Sequence, residues 1–241
     1  MDLQLQGRVA LVTAASKGLG RATALALAEE GVQLAICARG EAKLRETEQE
    51  LSRRTNVLAV AADVTDPDVP AQLVAATVER FGRLDLLVAN AGGPPPGRAL
   101  EVGDDALRTA VEANFLTSVR LVRAAVPDMR SRGWGRICLV TSHSIKQPIP
   151  TLTLSNSART ALWAWAKTAA ADLFADGITL NLACPGTHAT DRMAELHSSS
   201  SGPVGDPADF GRIVAFLCSA PAGHVSGAAL QVDGATTAGL L

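Results

Sequence analysis

Residues 9–20 read Val-Ala-Leu-Val-Thr-Ala-Ala-Ser-Lys-Gly-Leu-Gly. The apolar run Val9–Thr13 leads into a glycine-bearing turn, and an Ala- and Leu-rich segment of helical periodicity follows. A second apolar run, Gln33–Ala38, completes a β-α-β unit within about 30 residues. The unpaired N–H groups and the dipole at the start of such a helix favour a phosphate. The stretch therefore predicts a parallel sheet with a nucleotide site at its first turn.

The same alternation of short apolar runs and longer helical segments continues along the chain, which is typical of repeated β-α units. The predicted strands are 9–13, 33–38, 57–61, 84–89, 135–142, 178–183 and 228–232. The predicted helices are 19–30, 41–53, 68–81, 104–131, 155–175 and 206–219. No Pro/Ser/Gly-rich linker or long repeat divides the chain. We predict an α/β fold, a doubly wound Rossmann-like parallel sheet of about seven strands with helices on both faces, as a single domain over residues 1–241.

Composition narrows the class of partner. The 241 residues are 47% hydrophobic, which is enough for a sizeable buried core. Lys and Arg number 22 against 24 Asp and Glu, a net charge of −2, so no large field of one sign favours nucleic acid or an anionic membrane. No apolar run reaches the roughly 18 residues that a spanning helix needs. These counts predict a small-molecule partner, with no nucleic acid and no membrane.

Two residue types bear on location and chemistry. The four cysteines are spaced neither as a metal knuckle nor as a compact disulfide framework, so we expect buried thiols in a reducing cytoplasm and no metal site. Asp2 and a lone Arg8 precede the first apolar run, so we expect this run to be a first strand and not part of a signal peptide. The chain contains no tyrosine, which excludes a phenol as acid or base.

The end of the second predicted strand bears on the choice of nucleotide. Arg39 lies there, nineteen residues after Gly20, where an NAD-binding protein commonly has an acidic residue for the ribose hydroxyls. Its planar cation suits a 2′-phosphate instead, and Lys17 adds a second charge in the turn. The pair predicts NADP(H) in preference to NAD(H). The plain structural alternative is two solvated surface charges.

Nearly the whole chain resembles the short-chain dehydrogenase/reductase family. Within that family its motifs are most similar to those of 3-oxoacyl-acyl-carrier-protein reductases. The resemblance implies a seven-stranded Rossmann-like fold, a homo-oligomer (tetramer or dimer) and hydride transfer between a nicotinamide and a carbonyl or alcohol. The motifs that carry it are Thr13-Ala14-Ala15-Ser16-Lys17-Gly18-Leu19-Gly20, Asp63-Val64, Asn90-Ala91-Gly92, Asn114, Ser142, Pro185-Gly186 with Thr190, and Val232-Asp233-Gly234.

The resemblance also implies a role for each matching position. Asn114 would hold a water of a proton relay through its carbonyl, and Ser142 would hydrogen-bond the substrate carbonyl oxygen. The plain alternatives are a locally bonded helix Asn and a strand-end cap. The implied cofactor residues are Thr13, Ala15, Ser16, Lys17, Gly18, Leu19 and Gly20 in the phosphate turn, Asp63 and Val64 at the adenine, Asn90, Ala91 and Gly92 beside the adenosine ribose, and Pro185, Gly186 and Thr190 at the nicotinamide.

The sequence departs from the family where the catalytic Tyr-x-x-x-Lys belongs. Thirteen residues after Ser142 it reads Ser155-Asn156-Ser157-Ala158-Arg159, so Ser155 occupies the Tyr position and Arg159 the Lys position. Arg159 can keep the positive charge and the contact with the nicotinamide ribose. An alkyl hydroxyl at Ser155 is far less acidic than a phenol and is too short to reach the same point.

Other groups near Ser142 are candidate proton donors. His143 and Lys146 follow it in a loop where the substrate carbonyl is expected; His titrates near neutral pH, and a desolvated Lys shifts towards it. An exposed His, a solvated Lys and a bridging water are the alternatives. His188 is a weaker candidate and is expected to pack beside the nicotinamide. Ala14, in place of the first family glycine, is tolerable if its φ stays negative.

Three functions remain open at this level. The favoured one is an NADP(H)-dependent oxidoreductase with an atypical proton donor. The alternatives are a catalytically impaired nucleotide-binding regulator or structural subunit, and an enzyme of the same fold with non-redox chemistry. Two irregular stretches after strands, 92–97 and 187–205, are expected to border the ligand. The second contains a run of four serines, 198–201, and is either a mobile lid or an ordinary polar loop.

Overall fold

The computed structural model describes residues 1–195 and 202–239, and the serine run 198–201, interpreted as part of a lid or a polar loop, lies outside the described residues. Seven parallel strands form one sheet in the order β3-β2-β1-β4-β5-β6-β7. The strands are β1 (Val9–Thr13), β2 (Gln33–Ala38), β3 (Val57–Ala61), β4 (Leu86–Ala89), β5 (Gly135–Val140), β6 (Ile178–Pro185) and β7 (Ala229–Val232). The α/β class and the seven strands predicted from the sequence are confirmed.

The central strands are largely apolar and buried on both sides, as expected when helices cover both faces of the sheet. Every residue of β1 is buried, and its side chains alternate between two cores. Ala10 and Val12 belong to one hydrophobic cluster with Phe210, whereas Leu11 belongs to the other with Leu162. This is the pattern of a strand buried on both sides, in which a period of two places neighbouring residues on opposite faces.

The helices agree with the predicted segments apart from their ends and one interruption. They are α1 (Gly18–Glu29), α2 (Glu41–Leu51), α3 (Val69–Phe81), α4 (Asp104–Val111), α5 (Thr117–Ser131), α6 (Thr153–Phe174), α7 (Asp191–Glu195) and α8 (Pro207–Leu217). The segment predicted as one helix over 104–131 contains a π-helical turn, Glu112–Leu116, between α4 and α5. Strand β5 ends at Val140, before a short 3₁₀ turn, His143–Ile145. The helix α7 and the 3₁₀ turn were not predicted, because neither is long enough to show a period.

The connectivity places a crevice at the middle of the sheet. The chain leaves β1 towards β2 and β3 on one side and then returns to β4 on the other side of β1. Helices on opposite faces therefore diverge at the carboxyl ends of β1 and β4, where open α/β sheets bind ligands. The loops after β1, β4, β5 and β6 meet there. In the described part of the chain, no helix has the length and apolarity to cross a bilayer.

Candidate active site

One cleft of about 440 Å³ opens at these carboxyl ends and brings together most of the predicted site residues. Those that line it are Lys17, Gly18, Leu19, Arg39, Asn90, Ala91, Gly92, Ser142, His143, Ser155, Arg159, Pro185, Gly186, His188 and Thr190. Eight others do not line it: Thr13, Ala15, Ser16, Gly20, Asp63, Val64, Asn114 and Lys146. Thr13, Ala15, Ser16 and Gly20 lie in or next to the turn between β1 and α1.

Hydrogen bonds to the end of β4 hold the turn after β1, and the packing at Gly20 leaves no room for a side chain. Thr13 Oγ1 donates to Asn90 O at 2.7 Å and accepts from Asn90 N at 2.9 Å, which joins the ends of the two strands. A Cβ on Gly20 would lie 2.2 Å from Ala14 O and 2.8 Å from Asn90 Nδ2, so only glycine fits there. Lys17, the residue before α1, is extended and makes no side-chain cap. The first N–H groups of α1 are therefore available to an anion.

Ala14 does not have the backbone that its tolerance was expected to need. Its φ is +49°, in the left-handed region that favours glycine, so the expectation of a negative φ is wrong. The turn keeps the geometry of a glycine with an alanine in it. The contacts of Thr13 and Gly20 hold the chain in place on either side, so the turn can retain this strain.

Lys17 and Arg39, the two cations expected to bind phosphate groups, each lie near an exposed carboxylate. Lys17 Nζ is 3.4 Å from Asp191 Oδ2, and Arg39 lies 4.0 Å from Asp63 Oδ2. The Arg39 side chain is 77% exposed, and such solvent-exposed pairs contribute little free energy. A phosphate can therefore replace either carboxylate at small cost. Asp63 lies beside Arg39 at the rim, with Val64 next to it in the chain, and both stand outside the cleft lining.

Ser142 presents a hydroxyl proton to the cleft. Its Oγ accepts the N–H of Ser144 at 3.1 Å and thereby caps the 3₁₀ turn. Because this contact uses an acceptor site of the oxygen, the O–H remains able to donate to a substrate carbonyl. The strand-end cap and the catalytic role that the sequence left as alternatives are compatible in this geometry.

Ser155 and Arg159 lie one helical turn apart on the face of α6 that borders the cleft, and both are buried. The Arg159 guanidinium donates to Val140 O at 2.8 Å and to Ala91 O at 3.2 Å, across the ends of β5 and β4. Burial, followed by the charge of Arg192, lowers the pKa of Arg159 to about 10. The side chain therefore carries its charge at neutral pH.

His143 lies in the cleft wall directly after Ser142 and faces a carboxylate. Its Nδ1 is buried without a hydrogen bond and lies 3.9 Å from Asp233 Oδ2. Burial lowers the pKa of His143, and the charge of Asp233 opposes that shift. Burial alone would raise the pKa of Asp233, but hydrogen bonds from Thr237 and Ala235 outweigh it and lower that pKa. Asp233 is thus ionised next to the imidazole.

The surroundings of the three remaining candidates differ from those of His143. The Lys146 ammonium is 5.8 Å from the centroid of the Trp163 ring, and Lys146 is not among the residues that line the cleft. The His188 ring packs edge-on against Phe210, with Nδ1 3.2 Å from Gly186 O. Asn114 is buried within the π-helical turn, and neither its Oδ1 nor its Nδ2 has a partner. An unpaired amide of this kind needs a water or another polar group.

Several cleft residues were not identified from the sequence. Arg192 reaches across the opening and donates to Pro94 O at 2.6 Å. Ile149, Leu152 and Met193 supply an apolar wall, and Thr187 adds a hydroxyl. The one available signal was position, because Arg192 and Met193 follow Thr190 in a stretch expected to border the ligand. Asp233 had been noted only as part of a motif.

The residues present fit a dinucleotide. The tight turn without room for a Cβ at Gly20 and the uncapped start of α1 suit a diphosphate, while Arg39 lines the same cleft on the side of β2. The two unpaired polar atoms of Asn114 suit a bound water. In the described residues, no group of three His, Cys, Asp or Glu side chains is placed to hold a metal ion.

A cleft of this kind, at the switch point of a parallel sheet, defines a dinucleotide-binding α/β protein. A family model described as short chain dehydrogenase matches residues 8–201. The chain belongs to the short-chain dehydrogenase family, oxidoreductases whose fold binds a nicotinamide cofactor and whose reductases act on small-molecule carbonyl compounds. The resemblance inferred from the motifs is confirmed.

Individual proteins are similar over almost their full length. The 3-oxoacyl-acyl-carrier-protein reductase of Vibrio cholerae is 30% identical over 243 residues, covering 96% of this chain and 98% of that protein. L-sorbose reductase from Gluconobacter frateurii, complexed with NADPH and L-sorbose, has a TM-score of 0.93 at 30% identity and full coverage of both chains. A 7α-hydroxysteroid dehydrogenase complexed with NADH has a TM-score of 0.91 at 26% identity, over 97% and 96% of the chains.

Proposed function

We propose that this protein is an NADP(H)-dependent reductase of small carbonyl compounds in which His143, held opposite Asp233, replaces the missing phenol as proton donor. The observation that carries the proposal is the imidazole in the cleft wall beside Ser142, with its Nδ1 3.9 Å from Asp233 Oδ2. A 3-oxoacyl thioester is one substrate class in keeping with the relative from Vibrio cholerae. A homo-oligomer and a cytoplasmic location stay predictions.

The preference for NADP(H) rests on Arg39 and Lys17. Both line the cleft, and each lies near an exposed carboxylate, Asp191 for Lys17 and Asp63 for Arg39, that a phosphate can replace. Arg39 would hold the 2′-phosphate, and the start of α1 with Lys17 would hold the diphosphate. The structural relatives do not decide the preference, since one is complexed with NADPH and another with NADH.

Because Arg39 would hold the 2′-phosphate, the Arg39→Glu variant is expected to weaken NADPH binding at least tenfold more than NADH binding, as measured by cofactor fluorescence. Equal effects on the two cofactors would contradict the NADP(H) preference.

The proposed division of labour at the reacting end follows from the hydrogen bonds. Ser142 donates its free O–H to the carbonyl oxygen, and Arg159 keeps a positive charge beneath that point. The bound cofactor would supply the hydride to the carbonyl carbon. The proton then passes from the His143 imidazolium to the oxygen, and Asp233 stabilises the imidazolium across 3.9 Å.

The proposal predicts the direction in which the rates of reduction and oxidation change with pH. Burial lowers the pKa of His143, so the donor form disappears as the pH rises through that lowered pKa. The rate of carbonyl reduction is therefore expected to fall about tenfold per pH unit above it, whereas alcohol oxidation, which needs neutral imidazole, gains over the same range. This limb should vanish in His143→Gln and persist in Lys146→Met.

The experiment begins with NADPH and NADH titrations, followed by a panel of carbonyl compounds and a rate profile against pH. Ser142→Ala should lower turnover by at least a hundredfold while cofactor affinity stays unchanged. A pH limb that survives in His143→Gln would contradict the donor assignment. Binding of NADPH without any turnover would instead support the alternative, a nucleotide-binding regulator or structural subunit.

A further inference from the structure

We propose that Thr237, in the segment that follows β7, is a positioning residue that keeps Asp233 and His143 paired by charge alone, without a hydrogen bond between them. The inference rests on the proposed reductase function and deepens it, because His143 is the proton donor there. It follows from the hydrogen bonds that one oxygen of the Asp233 carboxylate accepts, and from the way the chain after Asp233 is tied to the turn that carries His143.

Packing fixes the Asp233 side chain at the edge of the cleft. Asp233 directly follows β7, whose last residue, Val232, accepts the N–H of Gly186 at 3.0 Å. A Cβ on Gly186 would lie 2.7 Å from Asp233 Cβ, so the absence of a side chain at Gly186 makes room for the aspartate. The Asp233 side chain is 7% exposed. Little water therefore screens its charge.

The chain after Asp233 folds back onto the same carboxylate. Ala235 has a φ of +61°, and its N–H donates to Asp233 Oδ1 at 3.1 Å. Further along, the N–H of Ala238 donates to Gln147 Oε1 at 2.8 Å. The N–H of Gln147 in turn donates to His143 O at 3.2 Å. The segment after β7 is therefore joined to the carboxylate at one end and to the turn of the imidazole at the other.

Thr237 fills the acceptor sites of the carboxylate oxygen that faces the imidazole. Its N–H and its Oγ1–H both donate to Asp233 Oδ2, at 3.0 Å and 2.6 Å. A carboxylate oxygen has two lone pairs for such bonds. His143 Nδ1 lies 3.9 Å from the same Oδ2, which is too long for a hydrogen bond. Among the residues that the structure describes, this buried Nδ1 has no hydrogen-bond partner.

The other charged or titratable groups near His143 do not take the place of Asp233. Lys146 follows on the same turn, and α6 and β6, which pack against that turn, carry Arg159 and Cys184. Burial raises the pKa of the Cys184 thiol, which is therefore neutral at pH 7. Burial lowers the pKa of His143, and within the described part of the chain Asp233 is the one charge that opposes this shift.

The missing hydrogen bond makes the imidazolium a stronger acid. A bond from Nδ1–H to Asp233 would stabilise the charged ring and raise the pKa of His143. Without it, the proton on the other ring nitrogen passes more readily to the carbonyl oxygen as the hydride arrives, and a neutral imidazole remains. This arrangement suits a donor that replaces a phenol, because proton transfer is most effective when the pKa lies near the working pH.

The test measures the pKa of His143 directly, by an NMR titration of protein with isotope-labelled histidine. The chain has four histidines, and the signal that His143→Gln removes identifies the one of interest. Thr237→Val removes the hydroxyl at nearly constant volume, and Thr237→Ser restores it. The matched control is Thr236→Val, because Thr236 is exposed and its hydroxyl donates to the main-chain oxygen of Asp233 at 2.7 Å, not to the carboxylate.

We expect Thr237→Val to raise the pKa of His143 by about one pH unit, because Asp233 Oδ2 gains a free acceptor site for Nδ1–H. Thr237→Ala, which also lacks the hydroxyl, should give the same rise. Thr237→Ser and Thr236→Val should leave the pKa unchanged, and Asp233→Asn, which removes the charge, should lower it. The pH at which carbonyl reduction slows should move upwards in Thr237→Val by the same amount as the pKa.

Two results would overturn the inference. One is a pKa of His143 that is the same in the wild type, Thr237→Val and Thr237→Ala. The other is a pKa that falls in these variants as it does in Asp233→Asn, which would mean that Thr237 only holds the carboxylate in place. The NMR titration needs neither cofactor nor substrate. A protein that reduces no carbonyl compound would therefore contradict the proposed reductase function, while the pKa values would still decide the role of Thr237.

Discussion

Replacing Ala14 by glycine should stabilise the protein, which is the reverse of the usual effect of glycine. The φ of +49° places Ala14 in the left-handed region, which costs a residue with a Cβ about 1–2 kcal/mol. Glycine removes this strain but adds about 0.4–1 kcal/mol of backbone entropy to the unfolded chain. The net expectation is a gain of about 0.5–1 kcal/mol in the free energy of unfolding, or about 2 °C in Tm for a chain of this length.

Urea unfolding followed by circular dichroism measures this difference if the slope with denaturant stays constant. A matched control is Ala75→Gly, at an exposed position inside α3, where the backbone is helical and glycine should cost about 1 kcal/mol. The two variants should therefore move the urea midpoint in opposite directions. A loss of stability in Ala14→Gly equal to that of the control would refute the argument that the turn stores strain.

Two further substitutions test the contacts at the amino-terminal ends of β1 and β4. Asp85 is fully buried, accepts the N–H of Val9 at 3.0 Å and lies 2.5 Å from Arg83. Asp85→Ala should therefore lower the free energy of unfolding, measured with urea, by about 3 kcal/mol. A loss below about 1 kcal/mol would contradict the stabilising role of these contacts. For Asp128, burial alone would raise the pKa, but hydrogen bonds from Arg132 and from the N–H of Leu84 lower it. Its contribution to stability is therefore complete above the unfolded-state pKa of about 3.9 and is lost as the pH falls through the lowered folded-state value, so the difference between wild type and Asp128→Asn should shrink between pH 5 and pH 2.

The architecture could be predicted because strands buried on both faces produce a recognisable apolar pattern in the sequence. Most strands of the sheet are short, largely apolar runs, and helices of three or more turns show their period. The interruption at 112–116 left no such trace. A π-helical turn adds one residue to a turn without changing which residue types are buried, so the segment from α4 to α5 looks like one helix in the sequence.

The candidate site was predicted where it depends on position along strands, and missed where it depends on side-chain direction. Ser142, Ser155 and Arg159 line the cleft because strand ends and one helix face place them there. His143 and Lys146 were equal candidates in the sequence, and only the 3₁₀ turn separates them, with His143 in the cleft wall and Lys146 near Trp163. The sequence alone could not predict that separation.

The exchange at Ser155 and Arg159 is coherent when both positions are considered together. In the family pattern the Lys lowers the pKa of a phenol, a task that disappears once the phenol is absent. Arg159 instead donates to the carbonyl oxygens of Val140 and Ala91, and so ties the ends of β5 and β4 at the floor of the cleft. A single ammonium has no planar fork to span those two acceptors in this way. The cation at position 159 thus serves as a brace and a fixed charge, which leaves proton transfer to a separate group and makes the imidazole opposite Asp233 the side chain on which the proposed reaction depends.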